Sequence, residues 1–296
     1  MQLKQIILLI LSVAIILACL ILLANRARGL HYRHYLRSKI FPYQISDIKL
    51  NADLSTEHYY QKIMAAAPNT PTDQELRFLL QYKRFVDAVD TYSMASPSKV
   101  DQMAKLIGIV SKNGIEGSIV ETGVWKGGMG MWIKCCLKYH REMRDVWLFD
   151  TFEYFPKPSS SINSINKADQ TIHAVTEILF ENMPTVAEVS SNFERFGLLD
   201  ETIKLIPGEF EKTIPIVDTG PIAILRLDSD YYDSTMYVLE TLYPRLVVGG
   251  FVVIDDYGNN YVACRRAVDD YRSKHLITDP IQDRYYSESV YWMKGH

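Results

Sequence analysis

From Ile6 to Ala24 the chain carries 19 residues without a charge, nearly all of them Ile, Leu, Val or Ala. At the helical rise such a run spans roughly 28 Å, close to the hydrocarbon thickness of a bilayer, so it predicts one transmembrane helix. A cleaved signal peptide fits less well, because its apolar core is usually only ~7–15 residues and no small-x-small site precedes the basic cluster here. A lipoprotein site at Ile16-Leu17-Ala18-Cys19 fits less well still, since the apolar run continues beyond Cys19. Lys4 stands alone before the helix, whereas Arg26, Arg28, Arg33, Arg37 and Lys39 crowd the other side. The positive-inside rule therefore places the C-terminal part in the cytoplasm.

Residues 31–54 lack a clear period and read as a linker. Helical patterns follow. Thr72-Asp73-Gln74-Glu75 is a capping box opening a helix over Leu76–Tyr92, and Ser96-Pro97 opens another that ends near Gly114. Beyond that, short β-branched runs alternate with amphipathic stretches. The strands are expected at Ser118–Glu121, Val146–Asp150, Thr202–Ile206, Ile222–Asp228 and Phe251–Asp255, and the helices at Gly128–His140, Thr185–Phe196, Tyr232–Leu246 and Tyr261–His275. The strands are apolar at consecutive positions, as both-face burial requires, and the alternation predicts a mostly parallel, doubly wound α/β sheet. A last aromatic strand, Ser289–Met293, is expected at or near a sheet edge, after the stretch Ile277–Ile281. The implied organisation is a membrane anchor (1–30), a linker (31–54), a helical region (55–115) and an α/β domain (116–296).

Composition narrows the function. The 296 residues are 48% hydrophobic and 23% charged, with 32 Lys+Arg against 35 Asp+Glu for a net charge of −3. This excludes a strongly basic nucleic-acid binder and a disordered chain. The four cysteines (Cys19, Cys135, Cys136, Cys264) have neither CxxC nor Cys/His ligand spacing, which argues against a disulfide scaffold or a zinc site.

In a doubly wound sheet the ligand crevice lies at the carboxyl ends of the strands. There the first strand runs into Glu121-Thr122-Gly123-Val124-Trp125-Lys126-Gly127-Gly128, a glycine-bearing turn that would let a ligand approach the backbone or would simply link strand to helix. The second strand ends at Asp150, which can accept the hydroxyls of a ribose or cap a helix. The fourth and fifth strands end in Asp228-Ser229-Asp230 and Asp255-Asp256. Carboxylates gathered at adjacent strand ends repel unless protons or a cation offset them, and an all-oxygen set suits magnesium better than zinc. Helix capping accounts for one aspartate in each motif but not for the second.

At these residues the sequence resembles the TylF/MycF family of S-adenosylmethionine-dependent O-methyltransferases. The matching segments are Val120–Gly128, Leu148–Pro156, Asn192–Pro215, Leu225–Tyr257 and Cys264–Arg272, in the family's order, so the resemblance runs from about residue 90 to the C-terminus. It implies the seven-stranded class I methyltransferase sheet, Rossmann-like in architecture. It also implies that Glu121, Thr122, Gly123, Gly127, Gly128, Asp150 and Gly208 surround S-adenosylmethionine, with Asp150 on its ribose. Asp228, Asp255 and Asp256 match magnesium ligands, and Asp228 or Asp230 matches the general base. The acceptor implied is a hydroxyl of a sugar or glycosylated metabolite, and a homodimer is compatible. Two segments depart from the family: Thr151-Phe152-Glu153-Tyr154-Phe155-Pro156 replaces Ser-Phe-Glu-Gly-Leu-Pro, and the insert Ser159–Asn166 differs. Both fall where the family builds its acceptor lid.

Two other readings compete. Asp228-Ser229-Asp230 is also a DxD pattern, as in a membrane-anchored, metal-dependent glycosyltransferase, and a chain with this fold could be a non-catalytic binding protein. His173 and His275 read as surface or core-edge residues, and Cys135-Cys136 as packing residues. Tyr231, Tyr232 and Tyr257 flank the acidic motifs and serve either an acceptor pocket or the core.

Overall fold

A computed structural model describes residues 91–158, 173, 183–258, 262–283 and 289–296. The apolar run 6–24, the linker 31–54, the helix Leu76–Tyr92 apart from its last two residues, and the insert Ser159–Asn166 lie outside the described residues. Among the described residues no helix is long and apolar enough to cross a membrane.

The strands are β1 (Ser118–Thr122), β2 (Val146–Asp150), β3 (Ile203–Pro207), β4 (Ile222–Leu227), β5 (Leu246–Ile254), β6 (Gln282–Asp283) and β7 (Val290–Met293). They form one sheet in the order β3-β2-β1-β4-β5-β7-β6. β1 to β5 are parallel, and β7 runs antiparallel between β5 and β6. The chain leaves β1 toward β2 and β3 on one side and returns to β4 and β5 on the other. The switch point is therefore the β1–β4 junction, where such sheets open a crevice.

The helices are α1 (Pro97–Lys112), α2 (Gly128–His140), α3 (Val186–Arg195), α4 (Phe210–Thr213), α5 (Tyr232–Leu242) and α6 (Val262–Lys274). β1 and β4 are buried at every position, including the polar Ser118, Glu121, Thr122 and Arg226. α1 turns Val100, Met103, Leu106, Ile107 and Val110 inward at helical spacing. The Trp132 indole of α2 donates to the Val100 carbonyl at 2.8 Å, tying α1 to α2. α1 belongs to the same compact unit as the sheet, Thr91–His296. α3 opens on the capping box Thr185/Glu188.

The expected and observed elements differ where proline or edge pairing intervenes. The helix expected over Tyr232–Leu246 stops at Leu242, and Tyr243–Arg245 forms a 3-10 turn around Pro244. Proline lacks an N–H and its ring obstructs the preceding turn, so the α-helix ends before it. β5 begins at Leu246 rather than Phe251, and the Gly249 amide donates to the Lys294 carbonyl at 2.8 Å. β6 was not expected, having only two residues.

Lys134 is buried in α2, with Nζ 2.8 Å from Asp200 Oδ2 and 2.5 Å from Thr202 Oγ1, just before β3. Lys134→Met should fold but lose about 1–3 kcal/mol, because it leaves Asp200 without its charged partner. Urea unfolding measures this, and an unchanged midpoint would contradict it.

Candidate active site

Glu121 and Arg226 are register partners in the parallel β1–β4 pair. Their side chains therefore meet inside the protein, with Arg226 Nη1 2.6 Å from Glu121 Oε1 and both almost fully buried. An arginine in an otherwise apolar strand is costly to bury unless paired. Arg226 satisfies this condition three times. Its Nη2 also lies 2.9 Å from Asp228 Oδ2 and 2.7 Å from Asp255 Oδ1. The contact to Asp255 Oδ1 is an ion pair off the N–H direction, since that oxygen has no well-directed hydrogen bond.

The strand ends fix the acids. The Asp228 amide donates to the Thr122 carbonyl at 2.9 Å and the Asp255 amide to Leu227 at 2.8 Å, which extends the parallel ladder one step beyond the strands. Asp228, Asp255 and Asp256 each offer an oxygen within 4.8 Å of the others. Asp255 and Asp256 are buried, whereas Asp228 keeps 32% of its side-chain surface open. A second cation enters from α1: Lys99 Nζ is 2.6 Å from Asp255 Oδ2 and 4.0 Å from Asp256 Oδ1. Asp230 adopts a left-handed conformation with φ 57°, uncommon outside glycine though best tolerated by Asn and Asp.

Protonation follows this crowding. Burial alone would raise Asp255, but Arg226 and Lys99 hold it below the usual carboxylate range. Asp256 is raised well above that range by burial and then by Asp228, Asp230 and Asp255. Asp228 is raised by desolvation and by Asp255. Desolvation and the Asp228 charge push Asp230 up to about 7. Protons thus substitute for a missing counter-charge. A hard divalent cation fits the same place. The donors are all carboxylate oxygens and Asp256 Oδ2 is buried without a partner, so the three aspartates suit such an ion.

The cofactor-side residues gather around the β1–α2 turn. Asp150 Oδ2 accepts from the Val124 and Trp125 amides at 2.7 and 2.9 Å, and Oδ1 accepts from the Phe152 amide at 3.1 Å. Asp150 therefore shapes the turn itself, and a ribose hydroxyl would share oxygens that already serve the backbone. The Gly208 amide donates to the Asp150 carbonyl at 2.9 Å, joining the β3 end to this group. Gly123, at φ +84°, would place a Cβ 1.8 Å from the Asp228 carbonyl oxygen, and a Cβ on Gly128 would lie 2.4 Å from that of Tyr92. Close approach by the protein's own backbone accounts for both glycines without a ligand. Gly127 caps α2 against Phe193. Thr122 is fully buried at the end of β1. Glu121 Oε2 is buried without a hydrogen-bond partner, beside this turn and behind the acids.

Of the flanking tyrosines, Tyr257 donates to Asp269 at 2.6 Å and Tyr232 to Asp270 at 3.0 Å, so α6 holds both hydroxyls. Tyr231 is buried, with its hydroxyl 3.1 Å from His173 Nδ1, and Phe155 packs edge-on against its ring. His173, expected to be a surface or core-edge residue, thus contacts Tyr231, the chain neighbour of Asp230. His275 is exposed beside Glu240, and Cys135, Cys136 and Cys264 are buried thiols.

Sequence reasoning missed both cations. Arg226 had a signal, a charge inside the run Ile222–Leu227; Lys99 had a weaker one, a cation in the first turn of a helix without acidic residues there.

The family model described as Macrocin-O-methyltransferase (TylF) matches residues 40–294. The chain is 38% identical over 193 residues to the 8-demethyl-8-(2,3-dimethoxy-alpha-L-rhamnosyl)-tetracenomycin-C 4'-O-methyltransferase of Streptomyces olivaceus, covering 65% of this chain and 72% of that one. It is 37% identical over 208 residues to the mycinamicin III 3''-O-methyltransferase of Micromonospora griseorubida, covering 69% and 79%. Among solved structures, the O-methyltransferase NovP superposes with a TM-score of 0.63 at 31% identity, covering 69% of this chain and 83% of NovP. The seven-stranded class I methyltransferase fold is therefore the fold of this sheet.

Proposed function

Because the chain belongs to the macrocin-O-methyltransferase (TylF) family and is an S-adenosylmethionine-dependent O-methyltransferase, we propose that its acceptor is a hydroxyl of a sugar or glycosylated metabolite, methylated with the help of a magnesium ion. The observation that carries this reading is the charge of the crevice. Five carboxylates, Glu121, Asp228, Asp230, Asp255 and Asp256, face two cations, Lys99 and Arg226. Beyond those two cations the carboxylates are offset by protons, which a bound divalent cation and the cofactor's sulfonium would displace. The glycosyltransferase reading of Asp228-Ser229-Asp230 is set aside by family membership.

The reaction joins the acceptor oxygen to the methyl carbon as the carbon–sulfur bond breaks, leaving a neutral thioether and a proton. Asp228, Asp255 and Asp256 would hold the magnesium, which supplies acidification of the acceptor hydroxyl when bound. Asp230 takes the proton, because Asp228 Oδ2 is already committed to Arg226. The turn carrying Gly123, Val124 and Trp125, braced by Asp150, would hold the cofactor, and the rate would gain from its alignment with the acceptor. Gly127, Gly128 and Gly208 border the same side.

Asp150→Ala should weaken S-adenosylhomocysteine binding by about tenfold to a hundredfold, since it removes charge-assisted hydrogen bonds that set the turn. Isothermal calorimetry reading an unchanged affinity would refute Asp150 as a cofactor-site residue.

Residues 6–24 are proposed as the membrane anchor, with the catalytic unit on the cytoplasmic side. Deleting residues 1–30 should move the protein from the membrane pellet to the supernatant. Native protein that already fractionates as soluble would overturn the anchor. An anchor would also suit a lipid-linked or envelope-glycan acceptor.

A further inference from the structure

Lys99 occupies a place that elementary electrostatics disfavours twice. It lies in the first turn of α1, where the helix end is itself positive, and its side chain is only 13% exposed. What compensates is a partner 156 residues further along the chain, the Asp255 carboxylate at 2.6 Å. The backbone beside Lys99 is anchored independently by the Trp132 bond to Val100. Asp255 thus has a protein cation on each oxygen, Lys99 on Oδ2 and Arg226 against Oδ1, while Asp256 Oδ2 has none.

A carboxylate shared with an ammonium donates less charge to any other cation, and a fixed positive charge beside a cation site repels the occupant. We propose that Lys99 is a positioning residue that shares Asp255, so that the three-aspartate site binds its divalent cation more weakly but leaves that cation more of its charge for the acceptor hydroxyl. This rests on the magnesium reading above. A lysine that merely braced the fold would act differently. Its loss would loosen Asp255 and weaken metal binding and turnover together.

Magnesium calorimetry on the full-length protein saturated with S-adenosylhomocysteine separates the two. Lys99→Met should bind Mg2+ about tenfold or more tightly than the native protein, while kcat falls about tenfold, the range typical of residues acting through a metal ligand. Lys99→Arg should return both values toward native. Lys99→Gln keeps a hydrogen-bond donor without the charge and should behave like Lys99→Met, which covers the case in which the methionine variant fails to fold. If native protein binds Mg2+ but neither neutral variant binds it more tightly, the role of Lys99 is overturned and the metal reading stands. If native protein binds no divalent cation, both fall.

Discussion

Asp256→Asn should reduce methyl transfer about a thousandfold or more while leaving S-adenosylhomocysteine affinity within about threefold of native. The asymmetry follows from where Asp256 sits. Its Oδ2 is buried and unpartnered and it is one of three aspartates with oxygens within 4.8 Å, whereas the glycine turn is braced by Asp150. Burial and the neighbouring acids already favour the uncharged form of Asp256, so a neutral amide of the same shape should not destabilise the fold. Asp255→Asn should also abolish turnover, but it breaks two ion pairs, with Lys99 and Arg226, and is the less clean test. Parallel calorimetry and single-turnover assays distinguish the outcomes. An Asp256→Asn protein retaining a tenth or more of native turnover would exclude Asp256 from the metal-assisted step.

The largest effect on stability is expected at Arg226. Arg226→Met fits the strand sterically but strands Glu121 and Asp255 in the interior, and removal of one partner of a buried pair costs about 3–5 kcal/mol. The loss should depend on pH. Asp255 is held low in the native protein by Arg226 and Lys99, so it contributes stability above its ordinary carboxylate range that is lost only as pH falls below it. Without Arg226 both acids bind protons more tightly folded than unfolded, and the variant gains stability as pH falls. The gap between native and variant should therefore be narrowest near pH 5 and widen as pH rises through about 8, the value to which burial pushes Glu121 even with Arg226 beside it. Urea melts across that window measure it. A gap that widens on acidification would contradict the assignment of Arg226 as the counter-charge of these carboxylates.

The acids were legible in the sequence because each ends an apolar run, and a parallel sheet turns consecutive runs into neighbouring strand ends. Glu121, Asp150, Asp228 and Asp255 needed only the strand boundaries, which shifted by one residue at most at their carboxyl ends. The cations were not legible for the opposite reason. Pairing Arg226 with Glu121 requires knowing that β1 neighbours β4 and in which register, a fact set by the whole topology. Lys99 requires the tilt of α1, which Trp132 and the buried face of the helix decide. The glycine turn was located correctly from its residues, but its glycines serve the protein's own close backbone contacts as well as any ligand. Pro244 was visible and still overrun, because the apolar spacing of Tyr232–Leu246 continues through it while the backbone does not.

The most direct test of this account is a methyl-transfer assay with S-adenosylmethionine labelled in its methyl group, a panel of deoxysugar nucleotides, glycosylated metabolites and lipid-linked glycans, and a divalent-cation chelator in one arm. The expected result is label recovered as a methyl ether on a sugar hydroxyl, lost in the chelated arm and restored by added Mg2+. Label found on no sugar hydroxyl, or full activity in chelator, would contradict it.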